Sequence, residues 1–236
     1  MASACTRTLL DSMVILATDT SARNGSLALA RVTPRQSEID VLEVVPLAGG
    51  TFSAQLVPQI GALLTKHGFT RKDIDGFAVV SGPGSFTGLR VGLAAIKALA
   101  EILHQSIAAV SLLEAVARSG AEFGPVLSVL DAGRGELYVG DYEIQPQVHM
   151  RSERLLSREQ FLAEAQGRTV ITPEAGLAEA ARAAGIRVEQ IDYPRSDMIA
   201  RLGWERIRRG ETVQPEDLEA NYIRRSDAEI FSHPKP

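Results

Sequence analysis

Short apolar runs bounded by glycine, proline and polar turns set the rhythm of this chain. Val14-Ile15-Leu16-Ala17 has strand length and ends in Thr18-Asp19-Thr20-Ser21. The turn Ala22-Arg23-Asn24-Gly25 leads into a second strand at 26–31, and 39–47 reads as a third, so the first three strands form an antiparallel meander. From Thr51 or Ser53 the period changes. Leu56, Ile60, Leu63 and Leu64 then share one face of a helix that reaches Lys66 and ends at His67-Gly68. Pro58 inside that segment demands a late start or a kink. Phe77-Ala78-Val79-Val80 is a buried strand, Gly82-Pro83-Gly84 breaks the chain, and Ser85 caps a helix to Leu103. Ile107-Ala108-Ala109-Val110 is the fifth strand. The order is βββαβαβ.

The second half begins in the same way. Val126-Leu127-Ser128-Val129-Leu130 ends in Asp131, a glycine turn through Gly133 and Gly135 follows, and 136–142 alternates as a strand. Strand, aspartate, turn, strand thus occurs twice. Ser157-Arg158-Glu159-Gln160 is a capping box opening a helix. A strand at 169–171 is followed by Thr172-Pro173 as N-cap and first residue of a helix closed by Gly185. A short strand at 188–191 precedes a last helix from Ser196 to Arg209. Two halves of related order predict duplicated α/β lobes, not a doubly wound sheet. The lobes are expected at 13–112 and 113–212, with 213–228 packing on the first and 1–12 as a flexible leader.

Polar residues after Phe86 are nearly confined to Arg90, Lys97 and Glu101. A helix apolar on most sides is expected to be buried on most sides, and one sheet covers only one of them. Gly88, Gly92 and Ala95 form a stripe of small side chains on it, and Pro58, Gly61, Ala62 and Thr65 form a similar face on the preceding helix. These seven residues are the candidate partner-binding set. The competing reading is that the two helices cover one another and the sheet.

Composition narrows the class. The chain has 236 residues and a formal net charge of −4, so it is folded and soluble in character and lacks the basic balance of a domain that grips nucleic acid alone. Arg206, Arg208 and Arg209, and the pair Arg224-Arg225, are read as solvated surface. The one cysteine, Cys5, cannot form an intrachain disulfide, which suits a cytoplasmic protein. No apolar run has membrane-spanning length.

Chemistry has few candidates. Asp19, Thr20 and Ser21, and Asp131 with Gly133, sit at strand ends beside small residues, where loops facing one another across a cleft would admit phosphates and hold Mg²⁺ through water. The plainer reading is that each aspartate closes its own turn. The glycine-rich stretch at 81–90 fails both phosphate-loop patterns: no lysine follows Thr87, and Thr87 stands where G-x-G-x-x-G needs its third glycine. The histidines His67, His104, His149 and His233 make no metal-binding pair, and neither Ser81 nor Ser85 has a nucleophile's context.

Four stretches resemble the bacterial TsaB (YeaZ) family: Ile15 through Ser21, Ser81-Gly82-Pro83-Gly84-Ser85-Phe86-Thr87-Gly88-Leu89-Arg90, Asp131 through Tyr138, and Asn221-Tyr222-Ile223-Arg224-Arg225. The resemblance runs over 14–226. It implies two duplicated lobes of the actin-like ATPase (ASKHA, RNase H-like) fold, in a protein without catalysis or cofactor of its own. Its implied role is to bind the paralogue TsaD, which holds ATP and metal, and with TsaE to support N6-threonylcarbamoyladenosine formation at tRNA position 37. TsaC supplies threonylcarbamoyl-AMP, and tRNA is met only indirectly. The implied contact with TsaD, and a homodimer, use the helices at 53–66 and 86–103. Family members carry a histidine where Phe52 stands here, and the paired metal histidines of TsaD are missing from that helix. Two alternatives accompany this reading: an ATP-dependent ASKHA enzyme in its own right, and an M22-type metallopeptidase.

Overall fold

A computed structural model describes residues 12–33, 39–120, 123–145 and 148–224. Cys5, nearly all of the expected leader, Arg225 and His233 lie outside the described residues. The first repeat runs β1 (Met13–Asp19), β2 (Gly25–Val32), β3 (Asp40–Leu47), α1 (Phe52–Lys66), β4 (Ile74–Gly82), α2 (Phe86–Leu103), β5 (Ile107–Ser111) and α3 (Leu112–Ser119). The second runs β6 (Gly124–Gly133), β7 (Glu136–Ile144), β8 (Val148–Ser157), α4 (Arg158–Glu164), β9 (Thr169–Thr172), α5 (Ala175–Ala183), β10 (Arg187–Gln190) and α6 (Ser196–Arg209).

The strand orders are β3-β2-β1-β4-β5 and β8-β7-β6-β9-β10, the same order in each repeat. In both, the first strand pairs antiparallel with the second and parallel with the fourth. The expected duplication of related order is therefore observed: the βββαβαβ order of the first repeat recurs in the second, and each repeat ends in a closing helix.

Those closing helices change the bookkeeping of residues. The described residues form two compact units: one takes those up to Val80, Ser85–Val110 and Arg195–Leu218, the other Ser81–Gly84, Ser111–Pro194 and those from Glu219 to Arg224. Helix α6, placed by the sequence reading in 113–212, groups with the first unit, and α3 groups with the second.

In the first unit, α6 lies on β1 and β2 and closes on β4. Gly203 rests against Ala78, and Ile207 against Gly76, where any larger side chain would push the helix off the sheet. Helices α1 and α2 pack on one another and on the opposite face. Leu89, Leu93 and Ile96 are buried there, each stabilising the fold by about 2 kcal/mol over an exposed position. Helix α1 runs through Pro58 without stopping. The carbonyl of Ala54 loses its helical donor at that point, but both residues are exposed and water can take its place.

In the second unit, Leu127, Val129, Leu137, Val139, Phe161 and Leu177 join one apolar core under α4 and α5. Helix α3 packs on β6 to β9. A Cβ at Gly140 would meet Leu113, Ser128 and Tyr142, so that glycine sets how closely α3 approaches.

Strand β8 and helix α3 are absent from the sequence reading. Helix α5 begins at Ala175 with Glu174 as its cap residue, so Thr172 belongs to β9 and its hydroxyl oxygen accepts from the amide of Glu174. The capping box of α4 forms as expected: Ser157 Oγ accepts from the Gln160 amide, and the Gln160 side chain accepts from the Ser157 amide. Among the described residues no helix is long and apolar enough to cross a membrane.

Candidate functional site

The two aspartate turns share one local geometry. Asp19 Oδ1 accepts from the Ser21 amide at 2.8 Å, and Asp131 Oδ1 accepts from the Gly133 amide at 2.8 Å. Each carboxylate thereby closes the turn that follows its strand. The surroundings differ. Asp19, Thr20 and Ser21 are buried, at 2%, 3% and 2% exposure, whereas Asp131 and Gly133 are exposed.

Burial pushes the Asp19 carboxyl above the ordinary carboxylate range, and hydrogen bonds from the Ser21 hydroxyl and amide pull the other way. The Ser21 hydroxyl donates to Asp19 at 2.5 Å, and the Thr20 hydroxyl donates to the Gly88 carbonyl at 2.7 Å. The Ser85 amide donates to the Ser21 carbonyl at 2.6 Å. Oδ1 of the Asp19 carboxyl and both hydroxyls of the first turn are thus engaged within the turn or by the start of α2.

At the second turn, the Asp131 amide donates to Glu174 Oε1 at 3.0 Å. Glu174 stands just before α5, the helix in the place that α2 holds in the first repeat. Its carboxyl is raised chiefly by burial, against the bond from the Asp131 amide. The described residues hold no group of three or more His, Cys, Asp or Glu placed to bind a metal ion.

The seven partner-binding candidates divide. On α1, Pro58, Gly61, Ala62 and Thr65 are all exposed, with Val57 beside them at 56%. On α2, Gly88 and Gly92 are buried and Ala95 is half-buried. A Cβ on Gly88 would overlap the Thr20 carbonyl oxygen, and one on Gly92 would overlap the Thr20 hydroxyl. The glycine stripe therefore faces the first aspartate turn, not an outside partner, and the expectation for Gly88 and Gly92 is corrected.

The outward arc of α2 carries Thr87, Arg90, Ala94, Ala98, Glu101 and Ile102, the last at 69% exposure. Arg90 lies over the ring of Phe86, 3.7 Å from its centre. Lys97, expected in the polar stripe, donates to the Leu218 carbonyl at 2.9 Å. One signal for the correction was available. With Leu89, Leu93, Ile96 and Ala100 taken as the buried stripe, a 3.6-residue period places Gly92 on its flank and Ala94 and Ala98 opposite.

Of the remaining candidates, His67 caps the end of α1 and bonds Glu43 at 2.8 Å, His104 ends α2, and His149 is exposed on β8. They are not brought together. Arg224, expected as solvated surface, is held by the second turn: it donates to the carbonyls of Ala132 at 2.8 Å and Gly133 at 3.0 Å, and to the Glu136 carboxylate.

Two repeats of one strand order, each with an aspartate turn after its first strand, define an actin-like ATPase (ASKHA) fold. The family model for TsaD, tRNA N6-adenosine threonylcarbamoyltransferase, matches residues 44–162, half of the chain. The chain belongs to this family, in its TsaB (YeaZ) branch. The tRNA threonylcarbamoyladenosine biosynthesis protein TsaB of Bacillus subtilis is 35% identical over 132 residues, 56% of this chain and 56% of that protein. The chain thus spans just over half the length of that relative. The protein of the same name from Escherichia coli is 26% identical over 92% of this chain and 96% of its own. A solved structure from Pseudomonas aeruginosa, an uncharacterized protein with similarity to peptidase YEAZ, superposes with a TM-score of 0.73. It is 26% identical and covers 90% of this chain and 100% of its own.

Proposed function

We propose that this chain is a non-catalytic subunit for N6-threonylcarbamoyladenosine formation at tRNA position 37, and that it acts by binding TsaD, with TsaE joining the assembly. The names of the Bacillus subtilis and Escherichia coli relatives support the pathway. One observation carries the binding role: the outward face of α1, from Ala54 through Val57, Pro58, Gly61 and Ala62 to Thr65, is exposed and has no charged residue. Helix α2 lies beside it and adds Ala94, Ala98 and Ile102. Uncharged along α1 and flanked on α2 by the exposed Arg90 and Glu101, this surface suits helix-on-helix docking of TsaD, or of a second copy of this chain when TsaD is absent. The Asp19 carboxyl, buried and bonded by its own turn through Oδ1, favours action through a surface over action by its own chemistry.

Ala62 is exposed on that face, so Ala62→Glu is expected to leave thermal stability unchanged. It is expected to weaken capture of TsaD by about tenfold or more, through a charge buried without a partner, and to reduce tRNA modification in a reconstituted mixture to match. Undiminished capture by the folded variant would remove α1 from the interface. ATP turnover or peptide cleavage by the isolated chain would replace the subunit reading with an enzyme.

A further inference from the structure

Helix α6 turns one face to its sheet and leaves the opposite face exposed. Ile199, Ala200, Leu202 and Gly203 are buried, and a 3.6-residue period then puts Arg201 and Arg208 on the line opposite, both exposed. The two arginines stand two turns apart, about 10 Å along the axis.

The charge on that face is unbalanced. From Arg195 to Arg209 the segment holds five arginines and two carboxylates, in a chain whose net charge is −4. Both carboxylates lie one turn from Arg201 and are drawn elsewhere: Asp197 to Arg195 at 3.7 Å, and Glu205 to Arg209 at 3.6 Å. Among the described residues neither Arg201 nor Arg208 is held in an ion pair.

The same face lacks what a protein partner needs. None of the exposed large apolar side chains among the described residues lies on α6. A protein interface has an apolar centre, whereas a nucleic-acid interface is polar and positive. A guanidinium also offers a phosphate two parallel N–H donors.

We infer that the Arg201–Arg208 line of α6 is a docking strip for an RNA phosphate backbone, each guanidinium taking a different phosphate of the tRNA while TsaD holds the rest. The inference rests on the tRNA-modification reading above, and it departs from the resemblance, which implies only indirect contact with tRNA. An acidic chain does not grip RNA strongly by itself. Two phosphate contacts count because the assembly is already anchored, and tethering makes a weak second contact effective.

Titration of an unmodified tRNA transcript into the complex of the full chain with TsaD, over a range of salt, tests this. Arg201→Ala with Arg208→Ala is expected to weaken binding about tenfold at low salt and to make the log–log slope of affinity against salt shallower by about two. Arg201→Lys with Arg208→Lys keeps both charges and is expected to keep the slope near wild type. Both double variants are expected to capture TsaD and to melt as the parent chain does, since the two side chains are exposed and alanine and lysine suit a helix. Unaltered RNA affinity and slope in the alanine pair overturns the strip, and so does a flattened slope that the lysine pair fails to restore. Loss of a protein partner with RNA binding intact also overturns it, and makes the face a site for an acidic protein. Failure of the wild-type chain to capture TsaD would sink the subunit reading separately. The strip is then read on the full chain alone at low salt, where the alanine pair must still flatten the slope.

Discussion

The two aspartate turns are the same device covered in two ways. In each repeat the first strand ends in an aspartate whose carboxylate accepts the amide two residues on. In each, the helix after the fourth strand comes back to that turn. Helix α2 does so with backbone: Gly88 and Gly92 let it lie directly on Thr20, and the first turn is buried. Helix α5 does so with a side chain, Glu174, which stands off and accepts from the Asp131 amide. A glycine removes the space between a helix and a turn, while a glutamate spans it. The first turn is consequently a packed interior and the second an exposed loop to which the chain adds Arg224.

The sharpest way to break this comparison is to give α2 a side chain where it touches the turn. Gly88→Ala is expected to cost about 3 kcal/mol or more and to unfold the first unit early, since the new Cβ overlaps a backbone oxygen that cannot swing away. Gly176→Ala makes the same chemical change in α5, where nothing lies within 4 Å of the added carbon. It is expected to be neutral or to stabilise by up to about 1 kcal/mol, because alanine favours the helix. Urea unfolding of the two variants beside the parent chain checks both. Equal losses would mean that the two helices meet their turns alike. Gly92→Glu belongs with Gly88→Ala and reports on folding, whereas Ala62→Glu reports on partner binding.

Much of this was legible in the residues. The repeat of apolar run, aspartate and glycine turn names both turns, and the duplicated order follows from it. What escaped did so for physical reasons. Strand β8 pairs at one edge only, and the alternation begun by Val148 and Met150 is lost in the polar run Arg151-Ser152-Glu153-Arg154. Helix α3 continues the apolar run of β5 after a single serine and is eight residues long, so the period has no room to declare itself. The direction of Gly88 and Gly92 was hidden because a residue without a side chain adds nothing to a hydrophobic pattern. It emerges only from the Leu89–Leu93–Ile96 stripe. The hold of Arg224 on two carbonyls was hidden because backbone acceptors have no sequence signature.

A second difference between the turns is electrostatic. Burial raises the Asp19 carboxyl above its ordinary value, so the folded chain keeps that proton to higher pH than the unfolded chain does. Between the ordinary and the raised value the native state binds more protons, and stability falls as pH rises, by at most about 1.4 kcal/mol per pH unit for one group. Asp19→Asn keeps an oxygen to accept the Ser21 amide and has no charge to bury. Relative to wild type it is expected to gain stability as pH rises through that window and to hold the gain above it. Thermal unfolding of both chains from acid to neutral pH is the measurement. A gap between them that does not change with pH would mean that the carboxylate is not desolvated as its burial requires.

Glu174 provides the smaller counterpart. Its carboxyl is also raised by burial, and the sign is therefore the same: the native state holds the proton longer, and stability declines as pH climbs through the raised value. The effect is weaker because the side chain is only half-buried and the Asp131 amide favours the ionised form. Glu174→Gln keeps an acceptor and removes the charge, so it is expected to change stability little at neutral pH, on the favourable side. Glu174→Ala leaves the Asp131 amide without its partner and is expected to cost about 1 kcal/mol, softened by the water that reaches this exposed turn. Urea midpoints for the two variants separate acceptor from charge. A loss in Glu174→Ala as large as that of Gly88→Ala would show the second turn to be as closed as the first. The contrast between a helix laid on its turn and a helix spanning to it would then fail.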